Sequence, residues 1–187
     1  MIWNIPNILT VIRILLIPVF VLVFFSHYSW ANVATTAIFG LAALTDWLDG
    51  YLARRLKQLS VFGAFLDPVA DKLMVAVALV VLVQDNPTAI FAIPAAVIIG
   101  REIAISALRE WMSEIGERTK VKVSVIGKVK TTAQMVAILL LLFKSPIGLF
   151  PTHDVGMILI YIAAILTLWS MFVYMRAAWP VIVGNSN

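Results

Sequence analysis

Residues 31–56 read ANVATTAIFGLAALTDWLDGYLARRL, and residues 61–85 read VFGAFLDPVADKLMVAVALVVLVQD. Both runs are long and apolar enough for a bilayer-spanning helix, which takes about 20 mostly apolar residues. Both are interrupted by acids: Asp46 and Asp49 in the first, Asp67 and Asp71 in the second. An aspartate near the centre of a span costs about 2.5–3.5 kcal/mol, and less toward an interface. Four such residues in a small bundle point to function rather than stability.

The rest of the chain is of the same kind. Of its 187 residues, 62% are apolar and 13% charged, against about 25% charged in soluble domains. A soluble domain of this size cannot hide that much apolar surface. A soluble enzyme, a disordered tail and a nucleic-acid-binding domain are therefore excluded. There is no cysteine, which removes disulfides, thiolate nucleophiles and cysteine-ligated zinc. The two histidines, His27 and His153, are too few and too far apart for a histidine metal centre. Punctuation by Pro, Gly, Asn, Ser and charge divides the chain into six expected spans, at 7–26, 31–55, 63–84, 88–112, 125–143 and 153–178. No internal repeat is visible and the connectors are short, so residues 1–187 are expected to form a single integral-membrane domain. The fold class is all-α: a polytopic membrane bundle of six transmembrane helices. The N-terminal MIWNIPNILT has no basic start and no small-residue cleavage site, so it is expected to remain as a first span.

Basic residues orient the bundle. The connectors at 26–32 and 85–88 carry no Lys or Arg, and the one after the fifth span has only Lys144. Arg13, Arg54, Arg55, Lys57, Arg118, Lys120, Lys122, Lys128, Lys130 and Arg176 gather on the opposite side. Both termini and the second and fourth connectors are accordingly expected on the cytoplasmic side of the inner membrane. Trp30, Trp111 and Trp179 fall near the expected interfaces, as an aromatic belt would. Pro18 and Pro94 are read as kinks. His27 and His153 lie away from the acids and are assigned no catalytic part.

The spacing of the acids carries the functional argument. Asp46, Asp49, Gly50, Ala53 and Arg54 recur at i, i+3, i+4, i+7 and i+8, and Gly63, Asp67, Ala70 and Asp71 at i, i+4, i+7 and i+8. Each set forms one helical stripe whose other members are mostly small. Asp46 lies about 12 Å inside Arg54, and Asp67 and Asp71 about 6 and 12 Å beyond Gly63, at 1.5 Å per residue. The two pairs can therefore meet at one level in the cytoplasmic half of the bilayer. Converging carboxylates in a low dielectric repel, so some are protonated or divalent cations neutralise them. Oxygen-only donors suit hard ions such as Mg²⁺ or Mn²⁺, and four acids suffice for two metals, an arrangement used for displacement at phosphorus. A proton or cation transporter built on the same acids is the competing class, although neither repeated halves nor matching broken helices are visible.

Taken together the motif is Asp46-Trp-Leu-Asp49-Gly50-Tyr-Leu-Ala53-Arg54, eight residues, then Gly63-Ala-Phe-Leu-Asp67-Pro-Val-Ala-Asp71. It resembles the D-x-x-D-G-x-x-A-R-x8-G-x-x-x-D-x-x-x-D signature of the CDP-alcohol phosphatidyltransferase family at every defined position. The stretches Asn4-Ile-Pro-Asn-Ile-Leu-Thr10-x-x-Arg13, Arg101-Glu-Ile-x-Ile-Ser-x-Leu-Arg109-Glu-Trp and Gly127-Lys-Val-Lys130-Thr-Thr-Ala-Gln-Met135 resemble the branch of that family that forms phosphatidylglycerophosphate. The likeness is vaguest from Phe143 to Asn187. It implies six transmembrane helices and a cytoplasmic site that transfers the phosphatidyl group of CDP-diacylglycerol to sn-glycerol 3-phosphate, releasing CMP. It also implies that Asp46, Asp49, Asp67 and Asp71 hold the divalent metals, with Asp71 as general base. Gly50, Ala53, Arg54 and Gly63 would line the CDP site, with Asn7 and Thr10 nearby. Members commonly form homodimers. Other alcohol acceptors within the family, namely serine, inositol phosphate or phosphatidylglycerol, are the alternative.

A phosphorylated acceptor needs cations. Arg101 and Arg109 are eight apart on the fourth span and are read as one face. Arg suits bidentate phosphate contacts. Lys128 and Thr131 are three apart at the start of the fifth span, with Lys130 beside them. These five residues are the candidate glycerol-phosphate pocket, against the plainer reading of a basic flank touching lipid headgroups. Arg118, Lys120 and Lys122 fit that plainer reading, and Glu114 with Arg118 an ordinary i, i+4 pair. The last span, 153–178, shows no chemistry-bearing residue.

Overall fold

The structure, a computed structural model, describes residues 4–56, 61–116 and 125–184. Among them are six helices and no strands: α1 (Ile5–Phe24), α2 (Ala31–Leu56), α3 (Val61–Asp85), α4 (Ala89–Glu114), α5 (Val125–Phe143) and α6 (Thr152–Gly184). Each expected span coincides with one of these helices. Three of them are long and apolar enough to cross a membrane, namely Asn7–Phe24, Ala89–Glu114 and Thr152–Val183. Among the described residues, Val129–Phe143 of α5 is a further, shorter apolar run. The largest departure from expectation is α6, which continues past residue 178 through Pro180 to Gly184. A proline inside a helix removes only its own N–H bond to the carbonyl four residues back, and apolar surroundings favour keeping every other backbone bond.

Local signals set the first helix. Asn4 is its N-cap, with the side-chain oxygen accepting the Asn7 N–H at 3.0 Å, and Pro6 stands in the first turn where no N–H is required.

The chain forms two compact units. The first comprises residues 1–86 and 138–154. Here α1 packs against both α2 and α3. The buried ridge of α2 runs Ala31, Thr35, Phe39, Ala42, and that of α3 runs Ala70, Met74, Ala78. Phe20 of α1 meets Phe39 with ring centroids 6.4 Å apart. At the far ends of these helices Lys144 donates to Asp85 at 2.6 Å and lies 5.0 Å from the centroid of the Phe24 ring. The one basic residue of that connector therefore ties the C-terminal ends of α1, α3 and α5 together. Outward positions such as Leu15 and Leu22 are apolar and exposed, as lipid-facing positions are.

The second unit comprises residues 87–137 and 155–187. Tyr161 donates to the Ile90 carbonyl at 2.6 Å, Arg101 donates to Ser170 at 2.7 Å, and Met112 is buried with Ala178 and Val181. These contacts advance along both helices together, so α4 and α6 run side by side in the same direction.

Candidate active site

Three buried ridges of the first unit turn polar at the same end. On α1 the buried positions are Asn7, Thr10, Arg13 and Phe20, so an apolar ridge becomes an amide, a hydroxyl and a guanidinium. On α2 the ridge that ends at Ala42 continues one turn later as half-buried Asp46. On α3 half-buried Asp67 and Asp71 precede Met74 at helical spacing. The N-terminal part of α1, the C-terminal part of α2 and the N-terminal part of α3 thereby share one level.

Contacts between them are specific. Arg13 Nη1 donates to Asp46 Oδ1 at 2.8 Å and lies 3.7 Å from Asp67 Oδ1. Thr10 Oγ1 donates to the same Asp67 oxygen at 3.2 Å. The Arg13 side chain is 1% exposed, whereas those of Asp46 and Asp67 are 38% and 37% exposed. A buried guanidinium is stable only when paired, and two carboxylates this close need a cation between them.

Arg13 has a role that its place in the sequence did not show. Its position among basic residues suggested an orientation signal, but the structure buries it between acids of two other helices. The available clue was an arginine inside an apolar run, on the same face as Thr10. An internal guanidinium stands beside two of the converging acids, in addition to the metal ions or protons expected to neutralise them.

The remaining residues of the motif divide in two. Gly63 lies in the first turn of α3, and Asn7 is buried on α1. The side chains at 49–54 lie outside the described residues, although their backbone belongs to α2. Asp49, Gly50, Ala53 and Arg54 are therefore placed only along that helix. Among the described residues no three acids or histidines form a metal-binding group.

The second unit holds its own polar cluster. Arg101, 8% exposed, donates from Nη1 to Glu102 Oε1 at 3.0 Å and from Nη2 to Ser170 Oγ at 2.7 Å. Its guanidinium lies 5.6 Å from the centroid of the Tyr174 ring. Lys130 Nζ, on a side chain 5% exposed, donates to the same Glu102 oxygen. Ser170 donates in turn to the Thr167 carbonyl at 3.1 Å. Arg101 and Lys130 are thus brought together through Glu102. Thr131 is exposed on α5, and the side chain of Lys128 lies outside the described residues.

Arg109 departs from expectation, because it is exposed while Arg101 is buried. Eight residues at about 100° each overshoot two full turns by about 80°. The buried ridge of α4 instead runs Arg101, Ile105, Met112. The last span also differs from its reading, since Ser170 and Tyr174 of α6 are what hold Arg101. A lone serine in an apolar helix gave no sign of that role.

Residues 3–169 match the family model described as CDP-alcohol phosphatidyltransferase. The chain belongs to the CDP-alcohol phosphatidyltransferase family. A relative from Pseudomonas fluorescens named CDP-diacylglycerol–glycerol-3-phosphate 3-phosphatidyltransferase is 56% identical over 178 residues, covering 95% of this chain and 91% of the relative. Relatives of the same name from Pectobacterium atrosepticum and Salmonella paratyphi A are 56% and 53% identical, each over 94% of this chain and 95% of the relative. As a family member the chain is a phosphatidyltransferase. The family generally uses divalent metals, and the donor chemistry of the first unit fits such an ion. Asp46 and Asp67 both approach one positive atom, Arg13 Nη1, so their oxygens are already placed to share a cation, and oxygen donors alone suit Mg²⁺ or Mn²⁺.

Proposed function

We propose that this protein transfers the phosphatidyl group of CDP-diacylglycerol to sn-glycerol 3-phosphate, forming phosphatidylglycerophosphate and CMP. The observation that carries the chemistry is the approach of Asp46 and Asp67, from two different helices, to a single cationic nitrogen. The full-length identity to relatives named for glycerol 3-phosphate supports the acceptor.

In this reading Asp46, Asp49, Asp67 and Asp71 hold two divalent ions, Mg²⁺ or Mn²⁺. Bound there, the ions supply Lewis-acid neutralisation of the pyrophosphate and of the departing CMP. Asn7, Thr10, Gly50, Ala53, Arg54 and Gly63 receive the CDP moiety. Thr10 also holds Asp67 in orientation through its hydroxyl. Asp71 takes the proton from the primary hydroxyl of the acceptor as that oxygen attacks the phosphorus bearing diacylglycerol. The P–O bond to CMP breaks, and CMP leaves with the electron pair. A carboxylate beside a metal is a weak base, so most of the rate comes from positioning and charge stabilisation. Arg101, Arg109, Lys128, Lys130 and Thr131 bind the phosphate of the acceptor.

The six helices cross the inner membrane with both termini and the acid-bearing ends on the cytoplasmic side. A nucleotide head then enters from water and the acyl chains from lipid. The family resemblance supports a homodimer.

The test is purified protein in detergent with CDP-diacylglycerol, labelled glycerol 3-phosphate and Mg²⁺ or Mn²⁺. CMP release should stop with a chelator and in Asp67→Ala. Full turnover by Asp67→Ala would end the metal-site reading.

A further inference from the structure

Among the described residues, the polar cluster of the second unit has an imbalance of charge. Two cations, Arg101 and Lys130, each under one-tenth exposed, share one carboxylate, Glu102. A buried charge in excess of its partners is costly. In addition, the buried Nε–H of Arg101 has no hydrogen-bond partner among the described residues. Gln134, one turn along α5 from Lys130, is buried with its side-chain oxygen likewise unpartnered among them. An unused guanidinium donor beside surplus positive charge is what a site for an anion presents before the anion arrives.

Glu102 differs from the groups it holds, because its side chain is 24% exposed and so stands at the edge of the cluster. Ser170 differs again, since it fixes the other arm of Arg101 at 2.7 Å from a separate helix. If Glu102 turns away, Arg101 remains oriented by Ser170 and by the face of Tyr174.

We propose that Glu102 is a displaceable stand-in for the acceptor's phosphate, holding Arg101 and Lys130 together until a phosphate dianion replaces its carboxylate, and that Ser170 is the positioning residue that keeps Arg101 in place during the exchange. The charges support a replacement rather than an addition. Two cations balance one dianion, whereas a dianion placed beside a retained Glu102 leaves net negative charge in the bundle. The inference rests on the reading of Arg101 and Lys130 as phosphate-binding residues.

The experiment measures the KM of each substrate and the inhibition constant of inorganic phosphate against glycerol 3-phosphate, in purified protein. Glu102→Gln keeps the shape and removes the charge that the phosphate must displace. It should lower the KM for glycerol 3-phosphate and the inhibition constant of phosphate by about tenfold, the scale of one charge-assisted hydrogen bond. The KM for CDP-diacylglycerol should stay where it is. Glu102→Asp, which keeps the charge on a shorter arm, should fall between Glu102→Gln and the native protein. Ser170→Ala should raise both acceptor-side constants, and Ser170→Thr should restore them. If Arg101→Ala raises the acceptor KM but Glu102→Gln or Glu102→Asp raises it too, Glu102 is a required ligand holder and the stand-in role is wrong. If Arg101→Ala leaves the acceptor KM unchanged, the phosphate-site reading itself has failed.

Discussion

Arg13 shows how a single residue sets the state of the acid cluster. Its guanidinium supplies the positive charge that Asp46 and Asp67 need, from a position almost without solvent. Removing it leaves two carboxylates facing each other in a poorly screened place. Arg13→Ala is expected to destabilise the protein by about 2 kcal/mol, below the figure for a fully buried pair because both acids are partly exposed. Equilibrium unfolding in mixed detergent measures this loss. Adding Mg²⁺ or Mn²⁺ should recover part of it, since a divalent ion answers the same repulsion. Arg13→Lys should recover less than the native residue, because an ammonium lacks the planar fork that reaches two acceptors. A variant insensitive to added divalent ion would separate Arg13 from the proposed metal-holding acids.

At the scale of elements, helical phase decides which polar residues meet. The ridges of α1, α2 and α3 each pass from apolar to polar without leaving their face, so packing the apolar part positions the polar part. Phe39, 1% exposed and in contact with Phe20, lies on that shared ridge. Phe39→Ala should cost about 3–5 kcal/mol and should reduce turnover as well, by loosening α2 against α1. Unfolding and CMP release on the same preparations test both effects. The same phase argument explains α4. Arg101 and Ile105 stay on its buried ridge, while Arg109 has rotated off it. Periodicity in sequence placed Asp46 on the ridge of Ala42 and Asp67 and Asp71 with Met74, because these neighbours are three or four residues apart, or seven. It was less reliable for Arg101 and Arg109, where an eight-residue interval conceals about 80° of drift.

For the whole molecule, the absence of cysteine makes topology directly measurable. Single cysteines at Ser113 and Ser145, both exposed beside helix ends, should react with a membrane-impermeant thiol reagent from opposite sides of the membrane. Ser145→Cys should label from outside intact cells and Ser113→Cys only after permeabilisation. Labelling of both from one side would overturn the six-span orientation. The parallel course of α4 and α6 agrees with that orientation, since each enters from the side where the connectors lack basic residues, apart from Lys144.

By itself the sequence determined the all-helical class of the molecule, the six helices found among the described residues, and the acid motif that resembles its family's. Those properties are local: apolar length, the 3.6-residue period and the cost of an aspartate in hydrocarbon are written in consecutive residues. The tertiary structure alone decided which charges partner which. Arg13 with Asp46 and Asp67, and Arg101 with Ser170, join residues 33, 54 and 69 positions apart. A buried charge takes whichever opposite group packing brings within about 3–4 Å, and the spacing of residues within one helix carries no information about its neighbours.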